Sequence, residues 1–121
     1  MLYAVKARFI PERIDELYAR LMDGSIQSQK PDGEEICASM QRARITEPGI
    51  VEWTEICYCP TPLAHERATV YDRFFIDLSA TAIEAPVEFS GEPFVELLRA
   101  STLRQTQAGR GETGNGLAEA A

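Results

Sequence analysis

"LYAVKARFIPERIDELYARLMDG", residues 2–24, decides the fold class because its hydrophobic period changes from two to about 3.6. Its first part predicts a strand from Leu2 to Phe9, with Lys6 and Arg8 on one face and a set of apolar side chains on the other: Tyr3, Val5, Ala7 and Phe9. Its second part predicts a helix that begins at Pro11 and stops at Gly24. The helix carries one apolar stripe, formed by Ile14, Leu17, Tyr18, Leu21 and Met22.

The next part of the chain is predicted to be a β-hairpin over residues 35–59. A turn at 30–33, KPDG, precedes a first strand from Glu35 to Ile45, and a second strand runs from Val51 to Cys59. The sequence EPGI at 47–50 suits a type II turn, because Pro48 fixes φ and Gly49 accepts a positive φ.

The rest of the ordered chain is predicted to contain a helix near 62–69, a strand near 70–78 and a second helix that begins at Pro93. A longer helix from Pro62 fits the same apolar spacing. Residues 79–91 are predicted to be irregular, with an edge strand at Val87 to Phe89. We therefore expect one domain over residues 1–101 and a flexible glycine-rich tail over residues 102–121.

The composition excludes several classes of partner. The formal net charge is −7, and the basic residues do not form the cluster typical of nucleic-acid binding proteins. No apolar run is long enough to span a bilayer, and no segment resembles a signal peptide. We expect a cytoplasmic protein without a membrane partner, in which the three cysteines are thiols.

The order β–α–β–β–(α)–β–α predicts an α+β fold with two layers and a mainly antiparallel sheet. Apolar residues occur on both faces of the hairpin strand, where Ile56 and Tyr58 alternate with Trp53, Cys57 and Cys59. Both faces therefore need cover, one from the helices and the other from a second copy of the chain. The sequence predicts a homodimer.

This layout resembles the dimeric α+β barrel superfamily, in which ferredoxin-like domains pair. The resemblance covers residues 1–78 and is carried by LYAVKARFIP before the first helix and by the PDG and EPG turns. Members include YciI-like proteins, muconolactone isomerase-like enzymes and small antibiotic-biosynthesis monooxygenases. Members range from enzymes that act on small, often aromatic or cyclic compounds to proteins with no known activity, so the resemblance does not choose a function. The histidine–aspartate pair of YciI-like proteins is not transferred, because the single His65 lies far later in the chain.

Residues 57–73 hold two thiols and the only histidine. Cys57, Cys59 and His65 form a plausible set of zinc ligands, with Cys37 as a fourth, although the C-x-C spacing is uncommon. We favour the alternative that the cysteines are small buried apolar side chains, and we predict neither metal nor cofactor.

The same segment carries candidates for acid–base chemistry. His65 titrates near neutral pH, and Asp72 or Glu66 is predicted to orient it. The alternative is a solvated connection with local ion pairs. Glu55 is a second candidate, because it lies on the same strand face as Trp53. There its carboxyl would have a raised pKa, unless a β-bulge turns it outward or an arginine pairs with it.

Two functions follow from these residues. The first is a small-molecule binding protein or a proton-transfer enzyme, with Glu55, His65 and Asp72 as catalytic residues. Its predicted substrate-binding residues, which supply apolar walls, a proton donor and anion anchors, are Trp53, Tyr58, Arg67, Tyr71 and Arg73. The second is a non-catalytic homodimer with a structural or regulatory role. We favour the first function, with the pocket between the sheet and the helices, and the second is the alternative.

Overall fold

The computed structural model describes the backbone of residues 1–113 and the side chains of residues 1–104. Five strands are present in these residues: β1 Leu2–Phe9, β2 Arg44–Glu47, β3 Ile50–Ile56, β4 Phe75–Ile83 and β5 Glu92–Pro93. They form one sheet in the order β4-β1-β3-β2-β5, and every neighbouring pair is antiparallel. The predicted α+β class with an antiparallel sheet is confirmed.

Four helices accompany this sheet in the described residues. Three of them are α1 Ile14–Met22, α2 Gly33–Arg42 and α4 Phe94–Thr113. The helix α3 is continuous through three segments, which are Ala64–Glu66, the π-helical Arg67–Tyr71 and Asp72–Phe74. A single 3-10 turn, Pro11–Arg13, leads into α1. In the described part of the chain, no helix has the length and apolar character needed to cross a membrane.

The strand and helix predicted from residues 2–24 are both confirmed. Tyr3, Val5 and Ala7 of β1 are buried, and α1 buries Ile14, Leu17 and Leu21 against the same core, whereas Met22 is exposed. Gly24 follows α1 with φ of +84°, the left-handed conformation that glycine adopts without strain.

The predicted strand from Glu35 to Ile45 is wrong, because most of this segment forms helix α2. Ile36 and Met40, four residues apart, are completely buried, so one helical face packs on the core. Arg42 ends the helix and β2 begins at Arg44, which shortens the hairpin to residues 44–56. The predicted turn at 47–50 joins β2 to β3, and Gly49 has φ of +79°.

The boundary predicted near residue 70 lies several residues too early. α3 continues to Phe74, and Leu63, Val70 and Phe74 are completely buried, as in the longer helix that the spacing also fitted. β4 then runs to Ile83, so residues 79–83 are extended rather than irregular. The edge strand is Glu92–Pro93 instead of Val87 to Phe89.

The predicted start of the tail at residue 102 falls within α4, which is described as far as Thr113. The remaining residues of that predicted tail, 114–121, lie outside the described residues.

The sheet has one face covered by helices and one that is largely uncovered. Val5, Val51 and Trp53 point toward the helices and are almost completely buried. We call the opposite surface the open face. It carries polar side chains, among them Lys6, Arg8, Glu52, Ser79 and Thr81, and apolar ones, among them Leu2, Ile50, Ile56 and Ile76. Ile56 and Ile76 are about half exposed, at 45% and 49%.

Candidate functional site

A cavity of about 470 Å³ lies where β3 ends and two helices begin. Residues 56–59 form one wall, and His65 and Glu66, in the first turn of α3, form a second wall. The third wall comes from Pro31, Asp32 and Glu35 at the start of α2. The cavity therefore joins three segments that are distant in the sequence.

Glu35 holds the start of α2 against the end of β3. Its Oε2 accepts the backbone N–H of Ile56 at 2.9 Å and the guanidinium Nη2 of Arg42 at 3.0 Å. Arg42 also donates to the carbonyl oxygen of Thr54 at 2.9 Å. These contacts fix the two walls of the cavity relative to each other.

His65 pairs with Asp32 at the wall of this cavity. Nδ1 of His65 contacts Oδ2 of Asp32, and this hydrogen bond is the main cause that raises the pKa of His65. Gln29 donates to Oδ1 of Asp32 at 2.9 Å and to the hydroxyl of Thr69 at 2.8 Å. Thr69 in turn donates to the carbonyl oxygen of His65 at 2.7 Å, so both members of the pair are held in place.

Asp32 can approach His65 because the residue after it is glycine. A Cβ on Gly33 would lie 2.1 Å from the carbonyl oxygen of Ile26, a distance that no side chain tolerates. The loop of residues 24–32 therefore folds back closely on the beginning of α2 and presents Asp32 to the cavity.

Cys57, Cys59 and Glu66 form a second group on the cavity wall, and we call it the thiol–carboxylate cluster. The two sulfur atoms lie 3.7 and 3.6 Å from Oε1 of Glu66, and all three potential ligand atoms lie within 4.8 Å of one another. Glu66 is only 2% exposed. Burial raises the pKa of Cys57 to about 11, so its thiol is protonated in the metal-free chain at neutral pH.

Glu55 lies in the core and is not one of the described residues that line the cavity. Its Oε1 accepts the indole N–H of Trp53 at 2.9 Å and the hydroxyl of Tyr71 at 2.6 Å, whereas Oε2 is buried and has no hydrogen-bond partner among the described residues. Burial raises its pKa to about 8. The face of β3 that carries Trp53 is the interior one, so Glu55 rather than Glu52 interrupts it, and among the described residues no arginine pairs with its carboxyl.

The other predicted site residues are dispersed. Tyr58 lines the cavity and is 88% exposed, whereas Trp53 and Tyr71 are completely buried behind it. Asp72 does not orient His65, because its carboxylate accepts from Nε of Arg67 at 3.2 Å on the exposed side of α3. Arg73 is also exposed.

The sequence interpretation did not name Asp32 and Glu35 as site residues, and it considered Glu66 only as a partner for His65. Asp32 was assigned to a turn and Glu35 to a strand, so neither was placed at a helix start. The signal that was available is the sequence DGEE, with acidic residues in the first turn of a helix.

Comparison of the chain with protein families, with curated proteins and with solved structures finds no match. The function therefore has to be argued from the site.

Proposed function

We propose that the protein binds a small organic molecule in the cavity at the end of β3 and transfers a proton to or from it through His65. The observation that supports this best is the contact between His65 and Asp32 at the cavity wall. A volume of about 470 Å³ suits a small ligand, because small-molecule sites usually enclose about 300–1,000 Å³.

The pairing with Asp32 gives the two ring nitrogens different roles. Nδ1 is engaged by the carboxylate, and Nε2 has no hydrogen-bond partner among the described residues. Nε2 is therefore the atom that exchanges a proton with a bound molecule, while Asp32 holds the ring and stabilises its charged form. Tyr58 and Ile56 supply apolar surface for the rest of the ligand.

The proposal assigns proton transfer to His65 rather than to the other two predicted catalytic residues. Glu55 is enclosed in the core, and Asp72 pairs with Arg67 on the surface. Arg67 and Asp72 remain useful as a matched comparison, because they form a polar contact on α3 that does not line the cavity.

Hydrogen exchange in D₂O tests this proposal. We would incubate the protein with a panel of small carbonyl compounds and follow deuterium uptake at the carbon next to the carbonyl by NMR. Wild-type protein should accelerate uptake into at least one compound, and His65→Gln should lower the rate by about a hundredfold or more, because general acid–base catalysis contributes about 10²–10⁴-fold. Asp32→Asn should lower it less.

Asp72→Asn is the control variant and should keep the wild-type rate. The proposal fails if no compound exchanges above the protein-free rate, or if His65→Gln exchanges at the wild-type rate. The absence of any exchange would favour the second function, a non-catalytic structural or regulatory protein.

We also propose that two chains pair through the open face, as in a dimeric α+β barrel. The order β–α–β–β–α–β is that of ferredoxin-like domains, and it is followed here by β1, α1–α2, β2, β3, α3 and β4. The open face carries apolar side chains that the helices do not cover, including Leu2, Ile56 and Ile76. This dimer is compatible with either function.

Native mass spectrometry tests the pairing, and we expect twice the 13.5 kDa mass of the chain. Ile76→Glu should give monomers, because it places a charge on the open face. Met22→Glu is the matched control, since Met22 is 55% exposed on α1 and Ile76 is 49% exposed. A wild-type monomer, or a dimer that persists in Ile76→Glu, contradicts this arrangement.

A further inference from the structure

We propose that the thiol–carboxylate cluster of Cys57, Cys59 and Glu66 binds one Zn²⁺ ion, with its fourth coordination position open to the cavity. This inference goes beyond the proposed function and does not depend on it. Cysteine sulfur and glutamate oxygen are both common zinc ligands, and three protein ligands with one open position are typical of zinc sites that react with small molecules.

The separations within the cluster suit a tetrahedral zinc ion. Zn–S distances of about 2.3 Å and Zn–O distances of about 2.1 Å place sulfur and oxygen about 3.6 Å apart in a tetrahedron. The observed separations from Oε1 of Glu66 are 3.7 Å to Cys57 and 3.6 Å to Cys59. The ligand atoms therefore need little rearrangement to bind the ion.

The surroundings of Glu66 favour a cation. Glu66 as a residue is only 2% exposed, and its Oε1 receives hydrogen bonds from two thiols, which are weak donors. Within the described residues no arginine, lysine or histidine nitrogen lies within 4.0 Å of it, and His65 forms its ion pair with Asp32 instead. A buried carboxylate without a close positive charge is costly, and a metal ion supplies that charge.

Glu66 differs in this respect from the two other acidic side chains that line the cavity. Asp32 pairs with His65 and Glu35 pairs with Arg42, so among the described lining residues Glu66 is the acid without a cationic partner within 4.0 Å. When zinc binds, each thiol releases its proton to solvent as the S–Zn bond forms. Two thiolates and one carboxylate then leave the loaded site with a single negative charge.

The two other residues first considered as ligands with Cys57 and Cys59 are not part of this cluster. Cys37 lies on α2 and is half-buried, and the ring of His65 is held by Asp32. Within the described residues, the cluster is the one group of three or more histidine, cysteine or acidic side chains with suitable spacing. Cys37 therefore provides an internal control.

Titration with Zn²⁺ alone tests this inference on the full chain, stripped with a chelator and kept reduced. Native mass spectrometry should show one zinc per chain, and competition with a chromophoric chelator gives the affinity. We expect Cys59→Ser and Glu66→Gln each to weaken binding by more than about tenfold, because even indirect partners of a metal contribute 10–100-fold. Cys37→Ser and His65→Gln should bind as wild type does.

A second measurement uses wild-type protein only, so its result does not depend on whether the variants fold. Zn²⁺ should slow alkylation of Cys59 and leave Cys37 unchanged, as read for each cysteine by peptide mass spectrometry. The inference is overturned if wild type binds no zinc, if Cys59→Ser and Glu66→Gln bind normally, or if Cys37→Ser loses binding equally. Because His65→Gln should slow proton transfer about a hundredfold or more and retain zinc, the two proposals fail separately.

Discussion

Glu55 and Glu66 are two buried carboxyl groups of this protein, and their surroundings differ in one respect that matters for function. Glu55 is enclosed by the core and receives two hydrogen bonds, from Trp53 and Tyr71, on a single oxygen. Glu66 receives its hydrogen bonds from two thiols and lines a cavity.

The two carboxyl groups differ in how the free-energy cost of burying an acid can be lowered. In the core, Oε2 of Glu55 is buried, and this burial raises the pKa of the carboxyl to about 8, so the group is mostly protonated at neutral pH. At the cavity wall a solute or a metal ion has access to the carboxyl of Glu66. The first carboxyl is enclosed by the core, and the second faces a cavity that can hold a ligand.

Removing the indole of Trp53, which lies beside Glu55 in the core, should have the largest effect on stability. Trp53 is completely buried, its ring lies 5.3 Å from those of Tyr71 and Phe75, and it donates to Glu55. We expect Trp53→Ala to lower the free energy of unfolding by about 3–5 kcal/mol, as measured by urea denaturation followed by circular dichroism. Tyr58→Ala, at an exposed position, should cost less than about 0.5 kcal/mol.

The pH dependence of stability should isolate Glu55. Because its pKa is raised from 4.5 to about 8 in the folded state, the unfolded chain releases this proton at lower pH than the folded chain does. The free energy of unfolding should therefore fall by about 2–4 kcal/mol as pH rises across this window. Glu55→Gln should remove that contribution in metal-free protein.

Urea denaturation of both proteins over a pH series gives this difference directly, because all other titrating groups are shared. Parallel curves for wild type and Glu55→Gln would show that burial of this carboxyl does not shift its titration.

Removing one hydrogen-bond donor from each of the two carboxyl groups, Glu55 and Glu66, should show how differently the two are enclosed. Tyr71→Phe deprives Glu55 of its closest donor in a closed site and should cost about 1–3 kcal/mol. Cys59→Ala removes a weak thiol donor beside a cavity, where water can replace it, and should cost less than about 1 kcal/mol. Equal losses in denaturant unfolding would mean that both carboxyls are equally enclosed.

The smallest expected effect concerns His65. Asp32 raises its pKa, so this pair stabilises the fold fully below the ordinary histidine pKa, and the contribution is lost as pH rises through the folded-state value. Asp32→Asn should lower the pKa of His65 in an NMR titration, which needs no assignment because the chain has one histidine. Asp72→Asn should leave it unchanged, and the same shift in both variants would contradict the pairing.

The sequence was sufficient where periodicity and packing agree. β1 and α1 were predicted because period two gives way to period 3.6 between Phe9 and Ile14, and each pattern is buried on one side only. Strand alternation placed Glu55 on the same face as Trp53, but it did not show which face of β3 is the interior. Residues 35–45 were assigned incorrectly because their short apolar pattern fits either period, and only packing of Ile36 and Met40 selects the helix.

The site was less accessible to sequence reasoning because its parts come from distant positions. His65 was identified as a titrating group, but its partner Asp32 lies 33 residues earlier. Local spacing favoured Asp72, which pairs with Arg67 instead. Contacts of this kind depend on how α2 and α3 approach the end of β3, and no local pattern contains that information.

The shortest strand has a consequence for the behaviour of the protein at high concentration. β5 pairs with Arg44 and Ile45 of β2, and Gly91 lets the chain lie so close that a Cβ there would be 2.1 Å from the carbonyl oxygen of Ile45. Pro93 cannot donate a further ladder hydrogen bond. At the opposite edge, the register of β4 shifts near Asp77, which has φ of +55°. Both edges of the sheet are thus poor templates for strands of other molecules, which protects the protein against fibrillar self-association.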